Sequence, residues 1–219
     1  MKINWSLLSQ LICKFQAAYL PYLAEYCFLC RKNVKSRSMK YLIVSDIHGS
    51  LPALQQVLEY YKCEACDMLC LLGDVLNYGP RNGLPEGLDP QGVAAALNAM
   101  SDQVVALRGN CDSEVDQMLL RFPILSDYVL LVDEGRRLFL THGHVYHEDR
   151  LPALGIDAFF YGHTHLQHIT PPADGRPLIV NTGSPTFPKK GNPPTFAISE
   201  NGCVSIHRLT GEKIAEYRL

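Results

Sequence analysis

The amino-acid sequence predicts an α/β protein in which two mixed β-sheets pack as a sandwich with helices on the outside. The chain has 219 residues, 47% of them hydrophobic, which suffices to bury a full core in a single domain. Its first half alternates short apolar runs with segments of helical periodicity, whereas short apolar runs joined by tight turns prevail after residue 128. This order indicates a βαβ half followed by a strand-rich half, and therefore two packed sheets.

The first half contains three predicted strands, at 41–45, 68–72 and 104–107. Three helices are predicted between and after them, beginning at Ser50 and covering 91–100 and 113–122. Ser50 is suited to cap the first helix, and Pro52 suits its first turn. The segment 75–90 holds three Pro and three Gly, which predicts a loop directly after Asp74.

The second half is predicted to consist of short strands and hairpins. Asp133-Glu134-Gly135-Arg136 and Glu200-Asn201-Gly202-Cys203 are turn sequences between apolar runs. The predicted strands cover 128–132, 137–141, 158–161, 178–181, 195–199 and 204–209.

Residues 1–38 differ from the rest and are predicted to be an N-terminal extension, either disordered or not part of the true product. They carry six Lys/Arg and one acid, whereas residues 39–219 carry fourteen Lys/Arg and twenty-one Asp/Glu. Lys14, Pro21 and Glu25 interrupt the apolar stretch, so neither a membrane span of about 20 residues nor a secretory signal is expected. A peripheral helix is the alternative. The acidic domain, 39–219, argues against stable nucleic-acid binding.

The eight cysteines allow two interpretations. Cys27-x-x-Cys30 and Cys63-x-x-Cys66 could form a zinc ribbon, but the gap between them exceeds the usual spacing of about 15 to 20 residues. Alternatively, Cys63, Cys66 and Cys70 are small apolar residues around a helix end and the next strand. Unpaired thiols in this number suit a reducing compartment, which predicts a cytoplasmic protein.

Five short polar motifs follow predicted strands, where residues distant in sequence meet at one sheet edge. They are Asp46-Ile47-His48, Gly73-Asp74, Gly109-Asn110-Cys111-Asp112, His142-Gly143-His144 and Gly162-His163-Thr164-His165. Residues i and i+2 of a strand point to the same side, so each Asp-x-His or His-x-His pair can serve one site. Carboxylate, imidazole and amide groups suit Mn²⁺, Fe²⁺, Zn²⁺ or Ni²⁺. One His-x-His pair alone is weak evidence for a metal site. Five polar motifs in this order together predict a metal centre.

The order and residue types of these motifs resemble the calcineurin-like metallophosphoesterases, whose motifs read DxH, GD, GN[HC]D, HGH and GHTH. The resemblance extends from about Met39 to the C-terminus. Within that superfamily the chain is most similar to the small bacterial YfcE-type phosphodiesterases, through SDIHGSLPA at 45–53, GDVLNYGPRN at 73–82 and RGNCDSEVD at 108–116. The resemblance implies the αββα metallophosphoesterase fold and a metal-dependent phosphodiesterase.

The resemblance also implies a division of labour around two divalent ions, with Mn²⁺ preferred. The first ion would be held by Asp46, His48 and His165, the second by Asn110, His142 and His163, and both by Asp74. Two cations about 3.5 to 4 Å apart need such a shared carboxylate to offset their repulsion. A hydroxide between them would attack phosphorus in line, with Asp74, Asn110, Cys111 and His142 as the catalytic residues.

Cys111 stands where many relatives have a histidine that protonates the leaving oxygen. A thiol is a weak hydrogen-bond donor, so activity is expected to favour good leaving groups such as aryl phosphodiesters. Asp112 is interpreted first as a cap of the helix beginning near Ser113, and otherwise as a residue that orients the turn.

Further residues are predicted to shape the substrate site. Arg81 and Asn82, in the loop after Asp74, are expected to contact phosphate, and His144 to line the pocket. The turn Asn181-Thr182-Gly183-Ser184 resembles the NPGS turn of the family and is expected to shape the loop beside the site.

Two classes of function follow from this sequence. The first is a phosphodiesterase acting on a small substrate, with a phosphomonoesterase as the nearest alternative because the same metal centre serves either ester. The second is a protein-binding scaffold, as in the retromer subunit that shares this fold with a degraded metal site. All seven predicted ligand positions carry coordinating side chains, which favours the enzyme. The sequence is compatible with a homo-oligomer.

Overall fold

Two β-sheets stack in the structure, a computed structural model that describes residues 38–219. The six-stranded sheet has the order β11-β10-β9-β1-β2-β3, formed by β1 (Tyr41–Val44), β2 (Met68–Leu71), β3 (Val104–Ala106), β9 (Thr195–Glu200), β10 (Cys203–Arg208) and β11 (Lys213–Arg218). The five-stranded sheet has the order β4-β5-β6-β8-β7, formed by β4 (Tyr128–Asp133), β5 (Arg136–Thr141), β6 (Ala158–Tyr161), β7 (His168–Thr170) and β8 (Leu178–Asn181). Both sheets mix parallel and antiparallel pairs, as predicted.

The predictions for the N-terminal extension and for Cys27 and Cys30 lie outside the described residues. Within 38–219, Cys66 and Cys70 are buried in the apolar core, as the second interpretation of the cysteines requires, whereas Cys63 is exposed at a helix end. No helix in this range is both long and apolar enough to cross a bilayer.

Three α-helices follow the strands of the first half. They are α1 (Leu51–Cys63), α2 (Pro90–Asn98) and α3 (Glu114–Leu119). Ser50 caps α1 as predicted, because its side chain accepts from the Ala53 N–H at 3.4 Å. Helix α3 ends three residues earlier than predicted. The Gln117 side chain explains this, since it bonds the backbone of Leu120, Phe122 and Ile124 and holds the chain in a non-helical path.

Alternation along the strands divides the core into layers. On β1, Leu42 and Val44 pack with residues of α1 and α2 and with the segment that follows α3, whereas Tyr41 and Ile43 face the five-stranded sheet. The outer face of the five-stranded sheet carries an aromatic cluster around Phe139 that residues outside its strands, such as Tyr146, help to cover. Helices α1 and α2 therefore lie on the six-stranded sheet.

Strands β7 and β11 were not predicted. Both are edge strands whose residues are half-buried or exposed, so their sequences lack a strong apolar period. Their absence from the prediction does not affect the site. The parallel pairs β1–β2–β3 and β5–β6–β8 carry the loops that follow, and these loops hold the polar motifs.

Candidate metal centre

All seven predicted ligands lie in turns that begin where a strand ends. Asp46 and His48 follow β1, Asp74 follows β2, Asn110 follows β3, His142 follows β5, and His163 and His165 follow β6. Five of them have positive φ: Asp46 (61°), His48 (52°), Asp74 (54°), His163 (63°) and His165 (60°). Alternation within a strand, on which the pairing prediction rested, is therefore not what directs these side chains. Left-handed turn residues direct them, and such strain is characteristic of functional sites.

The first group of donor atoms surrounds the Asp46 carboxylate. Its Oδ1 lies 3.5 Å from His48 Nε2 and 3.2 Å from His165 Nε2, and its Oδ2 accepts the His163 N–H at 2.8 Å. Asp46 is fully buried, and Oδ1 has no hydrogen-bond partner. Burial opposes ionisation, but His142, His165 and His48 together hold the pKa of Asp46 well below its usual range. A buried anionic oxygen without a donor fits a metal cation.

The second group surrounds His142. Its Nε2 lies 3.0 Å from Asn110 Oδ1, 3.2 Å from His163 Nδ1 and 3.5 Å from Asp74 Oδ2. The same Asp74 oxygen is 3.8 Å from His48 Nε2, which belongs to the first group. Asp74 thus faces both groups. Carboxylate, imidazole and amide oxygen form a donor set that borderline and hard divalent ions accept.

Backbone carbonyls determine which ring nitrogen of each histidine faces the site. Nδ1 lies 2.8 Å from Asn77 O in His48, 2.7 Å from Leu72 O in His142 and 2.7 Å from Phe187 O in His165. Because a carbonyl only accepts, each Nδ1 carries a hydrogen, and in the neutral ring Nε2 is then the nitrogen with a lone pair for a metal.

His163 is the exception, since its Nδ1 faces the site. Burial and the neighbouring His142 lower the pKa of His163 to about 4, so its ring is neutral at pH 7. A neutral imidazole is the form that binds a metal.

Two glycines permit the close approach of these turns. A Cβ on Gly109 would lie 2.0 Å from Asp74 Oδ1, and a Cβ on Gly162 would lie 2.0 Å from Ser45 Oγ and 2.6 Å from Asp46 Oδ2. Any side chain at either position would displace a carboxylate that the site uses.

A cleft of about 700 Å³ opens onto the centre. Its walls include Asp74, Asn110, His163 and His165 together with the predicted Arg81 and Asn82. The Asn82 side-chain amide donates to Tyr78 O at 3.1 Å and lies 3.4 Å from His48 Nε2, whereas Arg81 is exposed at the rim. His144 is also exposed, with its ring centroid 5.3 Å from that of His142.

The sequence profile of the calcineurin-like phosphoesterase superfamily domain matches residues 39–201. The chain belongs to this superfamily, whose members hydrolyse phosphoester bonds. It is 49% identical over 179 residues to phosphodiesterase YfcE of Escherichia coli K12, covering 80% of this chain and 95% of that protein. Phosphodiesterase MJ0936 of Methanocaldococcus jannaschii is 24% identical over 155 residues, covering 66% of this chain and 83% of that protein.

Solved structures agree with this assignment of the fold. The structure of E. coli YfcE matches with a TM-score of 0.79 and 46% identity, covering 82% of this chain and 99% of that chain. Vacuolar Protein Sorting 29 from Cryptosporidium parvum matches with a TM-score of 0.56 and 17% identity, covering 84% of this chain and 100% of that chain. The second match shows the fold alone. The predicted two-sheet fold is confirmed.

Cys111 lies beside the candidate metal centre. Its N–H donates to Asp74 Oδ1 at 2.8 Å, and its Sγ is within 4.8 Å of donor atoms of His48 and Asp74. Burial and the charge of Asp74 raise the pKa of the thiol to about 12.

Asp112 is not the helix cap that the sequence favoured. Ser113 precedes α3, and both its N–H and its hydroxyl bond the Asp116 carboxylate, at 2.7 and 2.8 Å. The buried Asp112 carboxylate accepts backbone N–H groups of Asp74 and Gly109 instead. The turn-orienting alternative is the one the structure supports.

Two further features of the site were missed or only outlined from sequence. Lys189 lines the cleft, and its N–H donates to His165 O at 3.2 Å, but a single lysine in a loop gives no sequence signal. Ser184 Oγ donates to Asp46 O at 2.8 Å, so the predicted role of the turn at 181–184 beside the site agrees with its contacts.

Proposed function

We propose that the protein is a phosphodiesterase that acts on a small substrate at a dinuclear centre. Asp46, His48 and His165 would hold one divalent ion, Asn110, His142 and His163 would hold the other, and Asp74 faces both groups of ligands. The observation that carries the proposal is the buried Asp46 Oδ1 without a hydrogen-bond partner, which His48 and His165 approach within 3.5 Å. The 49% identity to a protein named phosphodiesterase supports the diester as substrate.

Two bound ions would acidify a water molecule and offset charge on the phosphoryl oxygens. The chain's own residues orient the ligands: backbone carbonyls fix the ring nitrogens of His48, His142 and His165, and left-handed turn residues direct His48 and His165. Oxygen and imidazole donors suit Mn²⁺ and also accept Zn²⁺, Fe²⁺ or Ni²⁺.

The cleft walls supply the substrate contacts. Arg81 and Lys189 come from different loops, and both positive charges line the same cleft as Asn82. They attract the charged phosphodiester and orient it over the ions. Cys111 occupies the place beside Asp74 from which a leaving oxygen would take a proton. A thiol donates poorly there, so aryl esters are the preferred substrates.

The cleft and the ligand side chains bear on two alternative functions, a phosphomonoesterase and a protein-binding scaffold. A phosphomonoesterase would use the same centre, and the choice depends on whether the cleft accepts a second ester arm. A scaffold role is disfavoured, because all seven ligand side chains are present and converge. The free thiols of the described residues, such as the buried Cys66 and Cys70, suit a reducing cytoplasm.

Hydrolysis by metal-supplemented protein tests the proposal. Chelator-stripped protein is resupplied with Mn²⁺ and assayed on a bis-aryl phosphodiester, the matching aryl monoester and a 2′,3′-cyclic nucleotide. We expect the diaryl ester to be hydrolysed with the highest kcat/KM. A higher kcat/KM on the monoester would establish the phosphomonoesterase instead, and no hydrolysis of any ester with Mn²⁺, Zn²⁺, Fe²⁺ or Ni²⁺ would support the scaffold.

A further inference from the structure

Asp112 joins the two turns that carry Asp74 and Asn110. Its Oδ2 accepts the backbone N–H of Asp74 and of Gly109, each at 2.7 Å, and its Oδ1 accepts the N–H of Val75 at 3.0 Å. The residue is only 3% exposed. One buried carboxylate thus satisfies three backbone donors, two from the turn after β2 and one from the turn after β3.

Each of the two turns supplies a carboxylate that accepts a backbone N–H of the other turn. While Asp112 accepts from the turn of Asp74, the Asp74 carboxylate accepts the Cys111 N–H at 2.8 Å from the turn of Asp112. The two turns are also in direct backbone contact, because a Cβ on Gly109 would lie 2.4 Å from Asp74 N. Asp74 has a φ of 54°, so its conformation needs support from outside its own turn.

We propose that Asp112 is a positioning residue of the metal centre, whose carboxylate holds the turns of Asp74 and Asn110 at the separation that metal binding requires. This inference rests on the proposed dinuclear centre. Asp112 contacts backbone groups and acts through Asp74 and Asn110, in the manner of outer residues that orient metal ligands and whose loss typically weakens metal affinity about 10- to 100-fold.

The substitution Asp112→Asn isolates the carboxylate. Asparagine has almost the same volume but only one acceptor oxygen, and its NH₂ group can only donate. Whichever way the amide is oriented, NH₂ faces either the Val75 N–H or the N–H pair of Asp74 and Gly109. At least one backbone donor then loses its acceptor, and the turns separate.

Asp116→Asn is the matched control. Asp116 is another buried carboxylate four residues further on, and it accepts two hydrogen bonds from Ser113 at the start of α3. It has no contact with the turn of Asp74 among the hydrogen bonds of the described chain. This variant therefore reports the cost of losing a buried carboxylate acceptor in the same region without disturbing the ligands.

Mn²⁺ titration of chelator-stripped protein by calorimetry measures the effect without requiring catalysis. We expect Asp112→Asn to bind Mn²⁺ at least about tenfold more weakly than the unaltered protein does. Asp116→Asn should bind Mn²⁺ with the affinity of the unaltered protein, even if both variants melt at lower temperature. Equal Mn²⁺ affinity in Asp112→Asn and unaltered protein overturns the inference alone. No Mn²⁺ binding by the unaltered protein overturns both the inference and the proposed function.

Amide hydrogen exchange of the unaltered, metal-free protein gives a second test that does not depend on folding of a variant. The amides of Asp74, Val75 and Gly109 should exchange at least roughly tenfold more slowly than that of Gly83, which lies in the exposed part of the loop after β2. Exchange of all three at the rate of Gly83 would show that Asp112 does not hold the turns before metal binds.

Discussion

Buried histidines occur in two regions of this protein, and the two regions use the second ring nitrogen differently. On β10, His207 Nε2 lies 2.8 Å from Ser205 Oγ and Nδ1 lies 3.1 Å from Gly211 O, so both nitrogens have a saturating partner. In the turns after β1 and β5, Nδ1 of His48 and His142 meets a carbonyl, but Nε2 faces carboxylate oxygens that other histidines also approach. Ring nitrogens that converge on shared carboxylate oxygens distinguish the predicted ligands from a structural histidine.

The backbone conformation also differs between β10 and the turn after β1. His207 belongs to a regular antiparallel ladder, with a register shift only next to it on the β11 side. His48, by contrast, has a φ of 52° in a turn where Asp46 also has positive φ. A non-glycine residue in this region costs about 1 to 3 kcal/mol and persists only when its surroundings impose it. Of these two regions, the sheet edge that holds the candidate metal centre thus has the strained backbone, whereas the histidine of β10 lies in unstrained backbone.

Removal of the carboxylate between the two groups of ligands should have the largest effect. Asp74→Ala should lower phosphodiester hydrolysis by several orders of magnitude, because both ions lose their shared carboxylate. Ser205→Ala, in the β10 cluster, should retain near-normal kcat/KM. Circular dichroism of both variants verifies folding. Full activity in Asp74→Ala would exclude the dinuclear assignment.

A histidine introduced at the sheet edge should change the preference among leaving groups. Cys111→His should raise hydrolysis of esters with alkoxide leaving groups, by up to roughly 10² to 10⁴ for general acid catalysis. Aryl esters should change little, since phenolates leave without help. The ratio of the two rates at saturating Mn²⁺ is the diagnostic quantity. An unchanged ratio with both rates retained would mean that residue 111 does not face the leaving group.

Metal-induced stabilisation should depend on the sheet edge and not on β10. At an ion concentration of 100 Kd, binding stabilises the folded state by about 2.7 kcal/mol, which corresponds to roughly 5 to 10 °C in melting temperature for a domain of this size. Asp46→Asn should lose most of this shift, because its buried Oδ1 is the oxygen without a partner. His207→Gln is the control and should keep it. Equal shifts in the two variants would contradict the metal assignment of Asp46.

The smallest effect concerns His207 and pH. Burial is the largest cause that lowers the pKa of His207 in the folded protein. The pKa of a histidine in the unfolded chain is about 6.5, so below that pH the unfolded chain binds the proton more readily than the folded protein does. Stability is therefore fully present above that pH and falls as the pH is lowered through it. Denaturant midpoints of metal-free protein at pH 7.5 and 5.5 should differ less in His207→Gln. An identical pH dependence would mean that His207 does not titrate with unfolding.

Much of the fold could be predicted because its signals are local. The hairpins at 133–136 and 200–203 formed as expected, since Gly135 and Gly202 adopt the positive φ that such turns need. The predicted end of α3 was wrong by three residues, because the Gln117 side chain competes with the helix for backbone partners. The edge strands β7 and β11 lacked an apolar period and were missed.

The two-sheet fold and the metal-binding residue types after five strands could be predicted from sequence, because apolar periodicity and turn chemistry are properties of neighbouring residues. Three features came from tertiary contacts: Asp112 accepts a hydrogen bond from the turn of Asp74, Lys189 lines the cleft, and Asp46 keeps one oxygen without a partner. These outcomes depend on groups far apart in the chain, such as the 38 positions that separate Asp112 from Asp74. Whether a buried polar group finds a hydrogen-bond partner depends on residues that only the folded chain brings together.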